Sequence, residues 1–419
     1  MTTTARSSAP AAQRSGGVAA DVRTSLRALF GRPLTPYYLV LGATSLLTVM
    51  GLVMVLSASS VIAYVEDGSS FAIAQKQAMW LVIGLPLLFL ASRMSTRSMR
   101  VLALPALAVV LVLLALVLVP GIGISVNGNQ NWIAVGSTLR IQPSEAAKLV
   151  IVVWGADLLT RKQRLLGQWK HLLVPFVPVS GLIIALVLLG GDLGTALILM
   201  AIVGGLLFLV GAPARLFVGM AGVVGVIVAY MTFDRQARLS RLQDWLHPFN
   251  DYQGGGWQAA HGIFALASGG WWGVGLGASR EKWPGALPEA HTDFILAVIG
   301  EELGLVGSVT VLLLFATLIL GAIRISLLTR DPFVRLATGG IVVWLSIQTI
   351  VNVGAVVGLL PITGVPLPLV SYGGSALLPT LVALGMLLSF ARDLPGARSA
   401  LRARRRWWRR GARAARTPA

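Results

Sequence analysis

Residues 101–119 read VLALPALAVVLVLLALVLV, nineteen consecutive positions without one charged or hydrogen-bonding side chain. A helix of that length rises about 1.5 Å per residue and so spans roughly the 30 Å hydrocarbon core of a bilayer. Working outward, comparable apolar runs predict spans at 37–64, 72–92, 101–119, 144–160, 171–189, 193–210, 213–232, 290–323, 334–358 and 369–391. The eighth is long for one crossing, so it tilts or extends beyond the bilayer. The whole chain agrees: 56% of its 419 residues are hydrophobic and only 12% are charged, where a soluble domain carries about 25%. One buried core cannot absorb apolar residues arranged in such runs. The predicted fold is an all-α polytopic membrane protein of about ten transmembrane helices, with a large extracytoplasmic loop between the seventh and the eighth.

The net charge of +18 would suggest nucleic acid if it were spread over a surface. It lies instead in the two tails and in short connections between apolar runs, as membrane orientation and anionic lipid headgroups require. With the N-terminus inside, the inner segments carry Arg6, Arg14, Arg23, Arg27 and Arg32, then Arg93, Arg97 and Arg100, then Arg161, Lys162, Arg164 and Lys170, then Arg215, Arg324 and Arg330. The C-terminal tail adds Arg402, Arg404, Arg405, Arg406, Arg409 and Arg410, whereas the first outer connection carries Glu66 and Asp67. This divides the chain into a basic cytoplasmic tail at 1–36, a membrane domain at 37–392 and a second basic cytoplasmic tail at 393–419. Residues 1–20 are polar and rich in Ala, Ser and Thr, which reads as a disordered tail rather than a cleavable signal. There is no cysteine, which excludes disulfides, thiolate metal sites and thiol catalysis. The four histidines, at 171, 247, 261 and 291, form no metal-ligand pattern.

Two outer segments stand out, 120–143 and the far longer 232–289. Long ordered loops are more often functional than not. The second holds Trp245, Trp257, Trp271, Trp272 and Trp283, which suit either a binding surface or interfacial anchoring. Arg140, Arg235, Arg238, Arg241, Arg280 and Lys282 break the positive-inside bias there, which points to an anionic ligand outside or to a solvated loop. No strong internal repeat of the kind that marks secondary transporters is evident.

Charges at membrane depth cost roughly 2.5 kcal/mol or more each, so each is a functional candidate. They are Glu145, Lys148, Asp157, Asp192, Asp293, Glu301 and Glu302. In Gln142-Pro-Ser-Glu145-Ala-Ala-Lys148, Pro143 and Ser144 suit a helix start, and Glu145 and Lys148 share a face at i,i+3. The pair either fixes helix packing or lends Lys148 to a pyrophosphate. Asp293, in Leu287-Pro-Glu289-Ala-His291-Thr-Asp293, opens a helix; the helix dipole would keep it ionised as a cap or as a general base. Glu301 and Glu302 lie about two turns deeper, either with raised pKa or paired with a nearby base. Asp192 follows Gly190-Gly191 in a tight turn. Gly273, Gly275 and Gly277 lack the strand–turn–helix context of a nucleotide loop. Pro361 to Pro368, followed by Ser371-Tyr-Gly373-Gly374-Ser375, breaks the helix at depth and reads as a cavity wall, with close backbone approach at Gly373 and Gly374.

Together these segments resemble the SEDS family (shape, elongation, division and sporulation), which includes FtsW and RodA. The matching pieces are Asn127-Gly128 with Trp132-Ile133, Arg140 to Lys148, Asp192-Leu-Gly194-Thr195, Gln258, Gly269-Gly270 with Gly273, Gly275 and Gly277, Leu287 to Phe294, Glu301-Glu302-Leu-Gly304, and Gly358 to Ser375. The resemblance covers roughly residues 37–392. It implies a polymerase of lipid II, with undecaprenyl-pyrophosphate-linked glycan as the growing strand. The C4 hydroxyl of one GlcNAc attacks the anomeric carbon of the other chain's MurNAc, and undecaprenyl pyrophosphate leaves. The family's essential aspartate maps onto Asp293, as base and as the candidate ligand of a divalent cation (Mg or Mn), with no organic cofactor. Lys148, Arg140 and loop arginines would stabilise the leaving pyrophosphate. Glu145, Gln142, Trp132, Asp192, His291, Glu289, Gln258, Ser371, Gly373 and Gly374 would line the substrate site, with Glu301, Glu302 and Pro368 in support.

The resemblance further implies a class B penicillin-binding protein as partner, docked on spans eight and nine and the long loop, together with other division proteins and membrane lipids. Leu56-Ser-Ala-Ser-Ser and the overall layout look more like FtsW, hence septal, than like elongation-type RodA. A lipid II flippase and a recruiting scaffold are the competing readings. Two departures stand out: Asn131 where many members have Arg, and Gly190-Gly191 where many have Gln-Pro.

Overall fold

The first long helix, α1 (Thr35–Asp67), shows how the chain meets the membrane. Its 33 residues reach about 50 Å at 1.5 Å per residue, well past the hydrocarbon core. Its last turn, with Glu66 and Asp67, therefore stands outside the apolar layer. Gly68 ends it in the left-handed conformation at φ 71° and donates its N–H to the Tyr64 carbonyl. The computed structural model describes residues 32–400 except 127, 137, 138, 234–244 and 252. Asn127, Arg235, Arg238, Arg241 and the tail arginines at 6–27 and 402–410 lie outside the described residues.

In chain order there follow α2 (Ala72–Arg93), α3 (Thr96–Val117), strands β1 (Gly123–Val126), β2 (Asn129–Val135) and β3 (Leu139–Ile141), then α4 (Pro143–Arg161), α5 (Trp169–Leu173), α6 (Phe176–Leu189), α7 (Leu193–Leu209), α8 (Ala214–Phe233), α9 (Trp257–Ser268), α10 (Ile295–Leu328), α11 (Pro332–Val356) and α12 (Gly374–Arg392). Among the described residues seven segments are long and apolar enough to cross a membrane: α1, α2, α3, α5 with α6, α10, α11 and α12. The segments α7 and α8 are apolar but shorter, and α4 carries Glu145, Lys148 and Asp157. The chain is a multi-pass membrane protein.

Most of each spanning surface faces outward, as lipid allows. Of these seven, α11 and α12 are mainly enclosed, with 61% and 72% of their apolar stretches buried. Helix α12 packs on α2, α1 and α4, and α11 packs on α10, α4 and α7. At Gly385 the approach is close enough that a Cβ would collide with the Leu88 carbonyl of α2. At one end Asp157 joins Arg100 of α3 at 2.6 Å and Arg161 at 2.8 Å.

One small sheet is set within the helical fold. Residues 123–141 form a three-stranded antiparallel sheet in the order β1-β2-β3, with Gly123 opposite Ile133 and Ile133 opposite Ile141. Glycines at 128 and 136, with φ 80° and 70°, supply turns at the strand ends that other residues adopt with difficulty. The sheet rests on α3 and α4, and Gln130 Nε2 donates to the Val117 carbonyl at 3.0 Å.

Helix α10 is not continuous: Gly304 sits at φ 68°, ψ −166°. A break there removes helical partners, and at membrane depth those partners must be replaced from within the protein. The long outer loop replaces them. Val274 and Gly275 donate to the carbonyls of Glu301 and Glu302 at 2.9 and 3.0 Å, and Leu305 donates to the Gly270 carbonyl at 2.9 Å. A Cβ on Gly304 would run into the backbone of Trp271 and Gly273. Gly304→Ala is therefore expected to cost about 2 kcal/mol or more, read as a lower midpoint of thermal unfolding in detergent. An unchanged midpoint would mean that loop and helix are not locked together there.

Candidate functional site

The site is built on a short turn, residues 289–294, between the outer loop and α10. Helix α10 starts at Ile295, and Phe294 is its cap, without a side-chain cap bond. Asp293 thus precedes the helix rather than opening it. Glu289 takes φ 54°, a strained value for a residue with a Cβ. Its carbonyl accepts from the N–H groups of Thr292 and Phe294 at 3.1 and 3.2 Å. Its carboxylate accepts from Thr292 Oγ1 at 2.6 Å.

Three anchors hold this turn. Ser371 Oγ donates to the Thr292 carbonyl at 2.5 Å. Tyr372 N donates to the His291 carbonyl at 3.0 Å. Asn352 Nδ2, on α11, donates to the Asp293 carbonyl at 2.8 Å and to the Val365 carbonyl at 2.9 Å. Against it runs the irregular segment 361–373, where Gly364 has φ 70° and a Cβ would lie 3.6 Å from Asp293 Oδ2. The missing Cβ leaves the carboxyl group lying over bare backbone.

Burial pushes the Asp293 carboxyl up to about 7, helped by the negative charges of Glu289 and then Asp192. The helix dipole favours the ionised form at this helix start, whereas desolvation and two like charges oppose it directly. Burial also lowers His291, against the opposing pull of Glu289 and Glu66. The His291 and Tyr372 rings lie 5.6 Å apart between centroids.

Beneath the cavity wall lies a buried polar seam between α4 and α11. The Lys148 ammonium has no exposed side-chain surface and lies 2.8 Å from both carboxylate oxygens of Glu145. It also donates to Gln348 Oε1 at 3.0 Å, and Trp344 Nε1 donates to the same oxygen at 2.7 Å. Gln348 Nε2 in turn donates to the Pro366 carbonyl at 2.9 Å. In this arrangement Lys148 faces protein groups rather than the cleft. Sequence reasoning missed Gln348 and Asn352. The signal was present, as two amides at i,i+4 in an apolar helix, but uncharged residues were not counted among the costly ones.

Asp192 is a junction. It caps α7 through Thr195 N at 2.9 Å, and its other oxygen accepts from Gln142 Nε2 at 2.8 Å and from Asn131 Nδ2 at 3.4 Å. Asn131 thus meets Asp192 from the sheet. The Gly190-Gly191 turn lies under β2, where a Cβ on Gly190 would come within 2.7 Å of the Gln130 carbonyl. Glycine at that position makes room for the strand.

Other predicted residues sit further out. Arg140 is exposed on β3, and its carbonyl accepts from Ser375 Oγ at 3.2 Å. Trp132 pairs with Ile124 in the sheet. Gln258 reaches the turn only through the Pro288 carbonyl at 3.3 Å. Gly373 N lies 3.4 Å from Gln77 Oε1; Gly374 has the Trp80 indole against it; and Pro368 is buried. Glu301 accepts from Ser279 Oγ at 2.5 Å and Arg280 N at 2.9 Å. Glu302 binds Lys282 at 3.1 Å and Ser57 Oγ at 2.6 Å. Both acids thus clamp the loop to α10 and α1. Among the described residues no three His, Asp or Glu side chains converge as metal ligands.

Removing one member of a buried pair strands the other. Lys148→Met is expected to cost about 3–5 kcal/mol of stability, and adding Glu145→Gln to recover part of it, as measured by thermal unfolding in detergent. A single variant as stable as wild type would show that Lys148 does not hold α4 to α11.

The profile of the cell cycle protein family FtsW/RodA/SpoVE matches residues 37–395. The probable peptidoglycan glycosyltransferase FtsW of Mycobacterium tuberculosis is 42% identical over 383 residues, covering 91% of this chain and 73% of that protein. Stage V sporulation protein E of Bacillus subtilis is 36% identical over 366 residues, covering 85% and 97%. Among solved structures, a chain from work described as "Structural coordination of polymerization and crosslinking by a peptidoglycan synthase complex" superposes with TM-score 0.70 at 30% identity, covering 84% of this chain and 97% of that one. The rod shape determining protein RodA of Thermus thermophilus superposes with TM-score 0.63 at 28% identity, covering 85% and 97%. With most of its length matched by the family profile and by curated members, the chain belongs to the FtsW/RodA/SpoVE family.

Proposed function

We propose that the protein is a peptidoglycan glycosyltransferase of the FtsW type, which polymerises lipid II into β-1,4-linked strands at the outer face of the cytoplasmic membrane during septal wall synthesis. The observation that carries this reading is Asp293: a carboxyl group set over Gly364, on a turn anchored by Ser371, Tyr372 and Asn352, and pushed up to about 7. A general base works best when its pKa lies near the operating pH. Asp293 takes the proton of the C4 hydroxyl as that oxygen attacks the anomeric carbon, and the pyrophosphate-linked lipid leaves with the bonding pair. This is half of an inverting glycosidase, with a sugar hydroxyl in place of water.

The leaving pyrophosphate needs cations. With Lys148 enclosed beside Glu145, the role passes to exposed outer cations, Arg140 and Arg280, and to Arg235, Arg238 and Arg241. In this reading ten segments cross the membrane, both basic tails lie in the cytoplasm, and the glycan-linked lipid enters from the outer leaflet. A class B penicillin-binding protein, docked on α10, α11 and the long loop, would crosslink the strands. Its recruitment is supported by the likeness to a chain from a peptidoglycan synthase complex.

The decisive assay is polymerisation of purified lipid II by the solubilised protein, with its cognate partner present. Asp293→Asn is expected to lose about 10²- to 10⁴-fold in rate. Strands from the variant at the wild-type rate would remove Asp293 as base. No strands from either protein would favour lipid movement or scaffolding. The base must be deprotonated to act, so the wild-type rate is expected to fall as pH drops through about 7. Glu289→Gln removes a neighbouring negative charge and is expected to move that acid limb to lower pH. A limb that stays in place would show that Glu289 does not act on Asp293.

A further inference from the structure

We propose that Asn352 is the positioning residue for Asp293: its buried amide ties the backbone of the base to the cavity wall opposite and thereby sets where the carboxyl group points. This rests on Asp293 being the base. Asn352 is 2% exposed. A primary amide has two donor hydrogens, and here one goes to the turn and one to the segment 361–373, to the Asp293 carbonyl at 2.8 Å and to the Val365 carbonyl at 2.9 Å. Val365 directly follows Gly364, the residue over which the Asp293 carboxyl lies. One side chain therefore fixes the spacing between the base and the backbone beneath it.

The orientation of the amide follows from its surroundings. Reversed, it would turn an oxygen toward two carbonyl oxygens. As placed, its own Oδ1 is buried without a hydrogen-bond partner, a cost the fold accepts. Few other side chains could substitute: serine has one donor hydrogen, aspartate when ionised has none, and leucine has none at similar size. Gln348, at i−4 on the same helix, makes the neighbouring link to the Pro366 carbonyl, so α11 holds the wall at two consecutive residues.

The remaining anchors explain why this is positioning rather than plain stability. Ser371 holds Thr292 and Tyr372 holds His291, so the turn stays attached when Asn352 is replaced. Asn352 alone among the three holds the base residue itself. A shift of about 1 Å in a reacting group costs on the order of 10²-fold.

The test is steady-state polymerisation of purified lipid II by the full chain with its partner, for wild type, Asn352→Leu, the near-isosteric Asn352→Asp, Thr349→Val and Asp293→Ala. Monodispersity and thermal unfolding are followed in parallel. Both Asn352 variants are expected to lose about 10- to 100-fold in kcat, with KM within about threefold of wild type. In Asn352→Leu the acid limb is expected to move below the wild-type position as Asp293 becomes better solvated. Thr349→Val alters the same helix at a hydroxyl with no hydrogen-bond partner, and is expected to keep the wild-type kcat. Wild-type kcat in a folded Asn352 variant, beside an inactive Asp293→Ala, overturns the inference and leaves the base in place. A loss that only tracks the folded fraction, with an unmoved pH profile, overturns it equally. An active Asp293→Ala overturns the base assignment instead.

Discussion

A charge enclosed among apolar helices must find its partners inside the protein, and Lys148 finds two. Its ammonium is divided between Glu145 on its own helix and Gln348 on α11. The rest of the site depends on that arrangement. Gln348 is held by Lys148 and Trp344 and passes the restraint to Pro366. Asn352, one turn along, passes it to Val365 and Asp293. Irregular backbone at membrane depth survives only where its polar groups are satisfied. The cavity wall therefore exists because α11 presents two amides to its carbonyls. The same rule explains the broken helix α10, whose carbonyls before Gly304 are met by the outer loop. In both places the chain abandons regular helix and replaces the lost bonds from a neighbouring segment.

The electrostatics of the site follow from the same enclosure. Asp293 shares its surroundings with Glu289 and Asp192, and desolvation adds to their repulsion. The result is a carboxyl group raised well above the ordinary aspartate range, suited to accept a proton from a sugar hydroxyl. Asp192 is fixed in turn by Gln142, Asn131 and the start of α7. The small sheet thus acts on the base through a charge it holds in place.

How far the sequence could be read depended on the kind of signal each feature leaves. Apolar runs long enough to cross a bilayer betray helices directly, and the helix boundaries at α2, α7 and α11 fall close to their sequence-based limits. The segment 120–143 was legible as an outer connection but not as a sheet, because three strands of seven residues or fewer leave only weak alternation. Asp293, Glu145, Lys148, Glu301 and Glu302 were visible as costly charges, but not which of them would find partners within the fold. Lys148 and Glu302 did, through Gln348, Lys282 and Ser57, at sequence separations no local pattern reveals. Gln348 and Asn352 carry no charge, and only the packing of α11 shows their use. The helix-end rule is local, whereas the burial of Asp293 and the charge of Asp192 that act on it come from tertiary structure.

The central claim is that Asp293 sits poised between its two protonation states near neutral pH. The most direct measurement is infrared difference spectroscopy of the purified protein across a pH titration, wild type against Asp293→Asn. A protonated-carboxyl band, present only in wild type, is expected to grow as pH falls and to reach half its height near 7. A band that appears only near pH 4, the ordinary range for an aspartate, would contradict it.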